Sequence, residues 1–550
     1  MSKNLIIGID AGTSVIKSVA FDLTGRQIAV ASVPNRYTTA EDGSATQPLD
    51  QTWNDCVRSL RQLAEAVPNL AHRVTAVAVT GQGDGTWLID KDHQPVGDAW
   101  LWLDARAGHT AEKLRQSSND EARFLRTGTG LNACQQGAQF VHMMQHQPEQ
   151  LDRSATAFHC KDWLYMNLTD VRATDPSEAC FTFGDYKTKS YSEEVIDFYG
   201  LGKHASLIPP ICDGASTYHP LTEAAAAKTG LLQGTPIVLG YVDVVCSALG
   251  AGAYEPNASV GCTIVGTTGV HISAIQSSDI VLNTELKSGY VMMMPIEGIA
   301  AQLQTNMAST LNLDWVLALA SQVASSLNMN VEKDQLLNLI NGWIKDAPPA
   351  SLLYHPYISD AGERGPFIDH TARASFVGLN SNQGFGDLVR GTIEGLGFAA
   401  RDCYAAIGQV PSEIRLTGGA AQSQGLRNIL SATLGVPVRQ SLREEAGAAG
   451  AAMVAAVSVG VYDNMESCLS EWVFPLLGPQ ETPEPELVDL YRGHFPKYVA
   501  AREALQPIWH QLANKKDSCV WFGISRLLAT ILFSQRCLKK NCVRCVRMRV

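Results

Sequence analysis

The sequence predicts an α/β protein of two duplicated halves, and three observations carry that reading. An apolar strand runs into a Gly/Thr-rich turn and straight back out as a second strand at Leu5–Phe21, LIIGIDAGTSVIKSVAF, and the opening of that pattern recurs at 259–269, SVGCTIVGTTG. Nearly continuous apolar runs of the buried-strand type stop at glycines or at a carboxylate. At 550 residues and 45% hydrophobic, the chain is long enough to bury more than one core.

Leu5 to Ile9 reads as a buried strand, Asp10 to Ser14 as a tight polar turn and Val15 to Phe21 as the returning strand. The turn gathers Asp10, Gly12, Thr13 and Ser14, with Lys17 just beyond. A carboxylate, a glycine that lets a ligand approach the backbone, two hydroxyls and a cation are groups that cradle phosphate. This is neither a P-loop nor a dinucleotide loop, because the chain leaves the turn as a strand and not as a helix. An ordinary hairpin with a polar tip would look the same in isolation. After a turn at Leu23–Arg26, a third strand near Gln27–Val33 extends the hairpin to a meander, and Trp53–Ala66 has the spacing of an amphipathic helix.

Val74–Thr80, VTAVAVT, is a buried strand that stops at GQGDG, residues 81–85. In open α/β sheets ligands bind at such strand ends, which marks Gln82 and Asp84. A second polar cluster, WLWLDAR at 100–106, holds Trp102 and Asp104; a packed aromatic corner with an exposed ion pair is its plainer reading. Helices alternate with loops through Phe158–Leu168 and ATDPSEA at 173–179. Thr235–Asp243 then reads as another buried strand, ending in the carboxylate of Asp243.

In the second half, Ser375–Leu379 and Asp387–Arg401 read as a turn and a long helix, and Ile414–Gly419 as a strand ending in a glycine pair. A helix over Ala420–Leu434 follows. Gly418 and Gly419 would let a flat ring lie against the backbone, and the helix N-terminus would offer amides to a phosphate or ribose. The small-residue run EAGAAGAA at 445–452 opens another helix, suited equally to a tight helix crossing and to a ligand.

Taken in order, GIDAGTSVIKSVAFD, GQGDG, LWLDAR, KDWLY, ATDPSEA, GTPIVLGYVD, GTTG, FVGLNSNQGFGDLVRGTIEGLGF and LTGGAAQSQGLRNILSATLGVPV resemble the FGGY family of carbohydrate kinases, from Leu5 to about Leu505. The resemblance implies an actin-like (ribonuclease H-like) duplicated two-domain ATPase fold with the active site in the interdomain cleft. It implies an N-terminal domain over 1–246 for substrate and phosphate, and a C-terminal domain over 247–514 for the nucleotide. Carried over position by position, it implies ATP and Mg²⁺ as cofactors, with Asp10 holding the metal and Gly12, Thr13, Ser14 and Lys17 at the phosphates. Gly266 and Thr267 would form the second phosphate turn, and Gly418, Gly419 and Asn428 the adenosine seat. Gln82, Asp84, Trp102 and Asp104 would line the substrate site, and Asp243 would be the catalytic base. Val244 departs from the family pattern, in which a polar residue often follows the catalytic aspartate, and Gly391 stands where Ala or Ser is usual.

Within the family, GQGDGTW and GYVDVVC look most like members acting on erythritol. The expected reaction is phosphorylation of a terminal hydroxyl of a small polyol, with Trp102 and Trp87 shortening the cleft. A xylulose-type ketopentose is the alternative substrate. A non-catalytic sugar-binding regulator is the alternative class, disfavoured because no DNA-binding segment precedes Leu5; a chaperone would need a large peptide-binding domain for which no sequence remains. The formal charge of -11 argues against a nucleic-acid partner. No apolar window reaches the ~20 residues of a membrane span. Thirteen scattered Cys fit a reducing cytoplasm, and the reading is compatible with a homodimer.

Residues 515–550 differ in kind, with nine Lys/Arg against the single Asp517, four of the thirteen Cys and an arginine-rich end, VRCVRMRV. They are read as an altered reading frame or an appended extension outside the fold. Cys542 and Cys545 have CxxC spacing, but no second pair or nearby His completes a zinc site. Deleting Lys515–Val550 is expected to leave turnover and melting temperature nearly unchanged; a large loss of either, measured side by side with the full chain, would show that the tail belongs to the fold.

Overall fold

The structure of the protein, a computed structural model, describes residues 3–513, so the basic tail at 515–550 lies outside the described residues. β1 (Leu5–Ala11) pairs antiparallel with β2 (Val15–Asp22), and β2 with β3 (Gln27–Pro34), which is the meander expected from the alternating pattern. The turn starts later than expected, since Asp10 and Ala11 still pair with Lys17 and Ile16. α1 (Leu49–Ala66) buries Trp53, Cys56, Leu60 and Leu63, an apolar stripe at spacings of three and four. Crossing over through this helix, the chain returns as β4 (Val74–Gly81), parallel to β1.

α2 (Cys160–Thr169) and α3 (Pro176–Phe183) follow, and β5 (His219–Pro220) and β6 (Pro236–Leu239) complete a six-stranded sheet of order β5-β6-β4-β1-β2-β3. β6 ends four residues before Asp243. The expected strand terminus is therefore a helix start: Asp243 is the first residue of α4 (Asp243–Ala251). Gly240 leaves the sheet over β4, its N–H on Val79 O at 2.8 Å, and Tyr241 and Val242 turn the chain into the helix. The expected domain boundary at 246 falls inside α4.

The second half repeats the plan. β7 (Val260–Val265), β8 (Gly269–Gln276), β9 (Tyr290–Met293) and β10 (Ile299–Asn306) are followed by the long helix α5 (Phe385–Ala406) and by β11 (Glu413–Thr417), α6 (Gln424–Leu434), β12 (Val438–Ser441), α7 (Ala446–Ser458) and β13 (Leu477–Glu481). The sheet order is β9-β10-β8-β7-β11-β12-β13. In both sheets a first strand pairs antiparallel with the next, that one pairs antiparallel with a third, and the first strand begins a parallel run on its other side. The halves are thus duplicated in topology. The helix expected over Ala420–Leu434 is broken: Gly419–Gln422 is a 3-10 turn, and the Ser423 hydroxyl caps the start of α6.

α7 lies across β1 and β4 of the first sheet, while α4 packs along α7 and reaches β7 and β11 of the second. The contact is backbone to backbone. A Cβ at Gly450 would lie 2.0 Å from Cys246 O, one at Gly250 would lie 2.2 Å from Ala446 O, and one at Gly8 in β1 would lie 2.0 Å from Ala448 O. The run at 445–452 is therefore a tight helix crossing. One hydrophobic core continues through it, from Ile6, Phe21 and Ala78 through α4 and α7 to Cys262, Ile272 and Leu303.

Because neither backbone can retreat without opening that core, Gly450→Ala is expected to destabilise the protein by ~1–3 kcal/mol, as overpacking does. Gly493→Ala is the control: its Cβ would meet nothing within 4 Å in the exposed helix Pro485–Ala513, so it should be neutral or stabilise by up to ~1 kcal/mol. Chemical denaturation of the two variants would read opposite signs; equal effects would show that the crossing tolerates a side chain.

Candidate active site

A cavity of about 300 Å³ opens between the two halves, lined by Thr13, Gln82, Asp84, Trp102 and Asp243 from the first and by Thr268, Tyr290, Asn306 and Arg364 from the second. Asp243 stands at its wall as the first residue of α4. Burial and the neighbouring Asp10 carboxylate push Asp243 up to about 8. Burial likewise raises Asp10 to about 6, partly offset by Lys17. Asp10 sits at the end of β1 against the first turn of α7, where a Cβ at Gly447 would lie 2.4 Å from its Oδ2.

Behind Asp243 runs a buried polar network that the sequence signals only as the KDWLY and ATDPSEA stretches. Lys161 Nζ lies 3.0 Å from Asp162 and 2.7 Å from Asp175, all three fully buried. Asp175 caps α3 by accepting the Ser177 N–H and also takes the Ser177 hydroxyl; Ser177 Oγ in turn accepts the Val242 N–H at 3.1 Å. This chain fixes the backbone immediately before Asp243. Glu178, on the same helix, is pushed up to about 7 by burial and faces His159 Nε2 at 3.4 Å. Burial lowers His159, but the facing Glu178 and Asp162 carboxylates outweigh it and the imidazole is raised. Lys161, Asp175 and Ser177 are polar or ionisable by type, but no sequence spacing joins them. Only their convergence on Val242 gives them a role.

Asp84 holds a positive φ of 55° at the end of the GQGDG turn, and its Oδ2 accepts Cys134 Sγ at 3.2 Å and Tyr290 Oη at 3.4 Å. Its Oδ1 is buried without a partner among the described residues. Burial raises this carboxyl, partly offset by Cys134 and Arg364. Gln82 donates to Gln47 Oε1 and accepts the Thr13 hydroxyl, which in turn accepts Trp102 Nε1–H at 2.9 Å. Thr13 thus faces the Gln82 and Trp102 side of the turn.

Asp104 and Trp87 are not among the cavity-lining residues. Both Asp104 oxygens are taken by the Ala45 and Arg106 N–H groups and the Arg106 guanidinium, which also stacks 3.4 Å over the Trp100 ring. The plainer reading of WLWLDAR is the one that describes Asp104, with the ion pair buried on its acidic side. Trp87 is a fully buried core residue.

Of the remaining turn residues, Gly12 O and Ser14 O accept from Asn35, and Lys17 Nζ is held by both oxygens of Glu445 at 3.0 and 2.8 Å, a link from β2 to the residue that precedes α7. The Gly266–Thr267 turn joins β7 to β8 and is pinned to the helix Thr310–Ser326 by Ser309 N–H on Thr267 O and Thr310 N–H on Gly266 O. Gly418 follows β11 with φ +94°, close over Val265 O, while Gly419 has open space around it. Asn428 is exposed on α6 and accepts from Gln424. These three do not line the cavity, so the candidate adenosine residues sit apart from the candidate substrate residues, whereas Thr13 of the phosphate turn is in contact with them. Among the described residues, no cluster of three or more His, Cys, Asp or Glu is arranged to hold a metal ion.

Two sequence models match the chain, the N-terminal domain of the FGGY family of carbohydrate kinases over residues 5–250 and its C-terminal domain over 261–459. The chain belongs to the FGGY family of carbohydrate kinases. It is 55% identical over 513 residues to the erythritol kinase of Brucella abortus (strain 2308), covering 93% of this chain and 98% of that protein. The xylulose kinase of Bacillus subtilis (strain 168) is 25% identical, with coverage of 85% and 91%. Among solved structures, a gluconate kinase from Lactobacillus acidophilus shares the fold with a TM-score of 0.83 at 20% identity, covering 92% and 99%. This FGGY kinase therefore uses ATP to phosphorylate a sugar or polyol. Among its described residues no helix is long and apolar enough to cross a membrane.

Two consequences follow from Asp243. A carboxyl raised from 3.8 to about 8 on folding destabilises the folded state increasingly as pH climbs through that interval. Asp243→Asn should therefore melt at higher temperature than the parent without metal or nucleotide, with little difference near pH 4 and the largest near pH 8; no pH dependence in the difference would show that the carboxyl is not desolvated. Asp243→Ala should fold yet lose on the order of 10²–10⁴-fold in phosphoryl transfer, and near-parental turnover in the purified, folded variant would end the assignment.

Proposed function

We propose that this kinase transfers the γ-phosphoryl group of ATP to a terminal hydroxyl of a four-carbon polyol, erythritol, in the cytoplasm. The observation that carries the reading is one small cavity between the halves lined by both a carboxylate suited to take a proton, Asp243, and a second carboxylate, Asp84, whose buried Oδ1 has no hydrogen-bond partner among the described residues. The 55% identity to a curated erythritol kinase over nearly the whole of both chains supports the same substrate. The nine free cysteines among the described residues fit a reducing compartment.

Phosphoryl transfer to an alcohol asks for an in-line nucleophile, shielding of phosphate charge and a place for the departing proton. Asp243 takes that proton, and its raised carboxyl is a better match to an alcohol leaving its proton late in a loose transition state than an ordinary aspartate would be. Mg²⁺ is commonly held by one or two carboxylates together with substrate phosphates, and Asp10 beside Asp243 is a donor set of that kind; when bound, the ion shields phosphate charge. Asp10 would hold it. The backbone of Gly12–Ser14, the Ser14 hydroxyl and the Gly266–Thr267 turn face the phosphates from the two halves, and Gly418, Gly419 and Asn428 receive the adenosine. Lys17 reaches the phosphates only by releasing Glu445, which ties phosphate binding to the contact between β2 and the start of α7. Asp84, Gln82 and the Trp102 ring bound the polyol, and closure of the halves excludes water.

A site that hydrogen-bonds each hydroxyl rejects a ligand that leaves one of its buried groups unpaired. Erythritol is therefore expected to give a higher kcat/KM than glycerol, which leaves an acceptor unmet, and than xylulose, which is longer and brings a carbonyl. A coupled ATP assay across the three substrates decides, and a higher specificity constant for the ketopentose would overturn the substrate while leaving the kinase. Asp84→Ala should raise the polyol KM roughly 10- to 150-fold, the equivalent of a lost charge-assisted hydrogen bond at ~1.5–3 kcal/mol, with the ATP KM little changed.

A further inference from the structure

We propose that Arg364 is a specificity-determining residue that, with Asp84, clamps the end of the polyol away from the transferred phosphoryl group; the proposal rests on the polyol kinase reading above. Arg364 enters the cavity from the second half on a backbone that has little freedom. The Glu363 carboxylate accepts the N–H groups of Met307 and Arg364 at 2.9 and 2.8 Å, and Gly365 O accepts Asn306 Nδ2 at 2.8 Å, so the segment is bolted to the end of β10. A Cβ at Gly365 would lie 2.7 Å from Thr305 O. The anchor fixes where the Arg364 side chain starts, and Cys134 Sγ meets its far end.

A guanidinium carries five N–H donors and is normally matched by carboxylates or carbonyls. Among the described residues, the Arg364 guanidinium has one hydrogen-bond partner, Cys134 Sγ at 3.5 Å, and no ion pair. Across the same sulfur, Cys134 Sγ donates to Asp84 Oδ2 at 3.2 Å, so the cation and the carboxylate flank one atom without touching each other. Asp84 Oδ1 meanwhile is buried and has no partner among the described residues. A structural Arg would have closed on that carboxylate. Complementary groups held apart in a cavity match a ligand whose atoms both accept and donate, and a hydroxyl does both: it accepts from Arg364 while donating to Asp84.

Val244, which lines the cavity directly after the catalytic aspartate, brings no polar group. Arg364 supplies from the second half the hydroxyl contact that Val244 does not make. Asp84 and Arg364 meet Cys134 and Tyr290 and not Asp243, and the clamp is assigned to hydroxyls other than the one that is phosphorylated. Because Asp84 belongs to the first half and Arg364 to the second, a polyol long enough to meet both bridges the halves.

The test is Arg364→Gln, read by steady-state kinetics with erythritol and with glycerol, which is one carbon shorter. The erythritol KM should rise at least tenfold, the ATP KM should stay within twofold, and kcat/KM for glycerol should fall less than threefold. Arg364→Lys, which keeps the charge and loses the planar fork, should lie between Gln and the parent. In the double variant Asp84→Asn/Arg364→Gln the effects on the erythritol KM should be clearly less than additive, as for two groups on one ligand. Equal losses on erythritol and glycerol, an ATP KM that rises in step, or strictly additive effects would each overturn the clamp. If Arg364→Gln fails to fold by melting temperature, Arg364→Lys alone decides, and parental kinetics in it would count against the proposal. If the parent does not turn over erythritol, the substrate reading fails separately, and the same comparison is made on its best polyol and the homologue one carbon shorter.

Discussion

Helices α4 and α7 cross so closely that a Cβ at Gly250 or Gly450 would lie 2.2 or 2.0 Å from a carbonyl oxygen of the other helix. Both halves hang on this crossing, because α4 follows the first sheet in sequence yet reaches the second, and α7 follows the second yet lies across the first. Backbone contact of this kind has no side chains to adjust, so it transmits displacement where a layer of flexible side chains would absorb it. The acids of the site are attached to it directly. Asp243 begins α4, and Asp10 abuts the first turn of α7 at Gly447. Any hinge between the halves therefore moves these two carboxylates with it.

The polar network behind Asp243 answers a cost that the crossing creates. Burying Asp10, Asp243, Glu178 and Asp84 near one another raises all four carboxyls, each chiefly through burial. Lys161 offers a compensating buried cation whose own partners, Asp162 and Asp175, keep it charged against the effect of burial. Fully paired, such a group stiffens its surroundings, and here the stiffness passes through Ser177 to the Val242 N–H. Lys17 and Glu445 form the corresponding link at the other side of the site, between the first hairpin and α7.

Much of this was readable in the residues themselves. The hairpins at Leu5–Asp22 and Val260–Gln276 show as apolar strands around Gly/Thr turns because strand burial imposes a local pattern of two faces, and that pattern survives in one dimension. Gln82 and Asp84 were legible because a buried strand that stops at polar residues has an end facing solvent or ligand. Asp104 shows the limit of the same reasoning. Its spacing beside Arg106 suits a substrate contact and a private ion pair equally, and only its saturation by Ala45 and Arg106 separates the two. Asp243 was found for its carboxylate but misplaced on a strand, since an apolar run such as PIVLGYVD does not mark where the sheet lets go and the helix begins.

By itself the sequence determined the strand–turn–strand units and their repetition, which depend on residue type and local spacing, and the order of its motifs carried the resemblance to the family. Tertiary structure alone decided that EAGAAGAA is a helix crossing, that Lys17 is held by Glu445 across 428 positions, that Lys161 and Ser177 brace Val242, and that Arg364 faces Asp84 across the sulfur of Cys134. The division has a physical origin. Local propensity and periodicity act along the chain and leave a trace in it, whereas a charge or a hydrogen-bond donor takes its meaning from the partner that folding brings to it, and that partner lies at no fixed spacing.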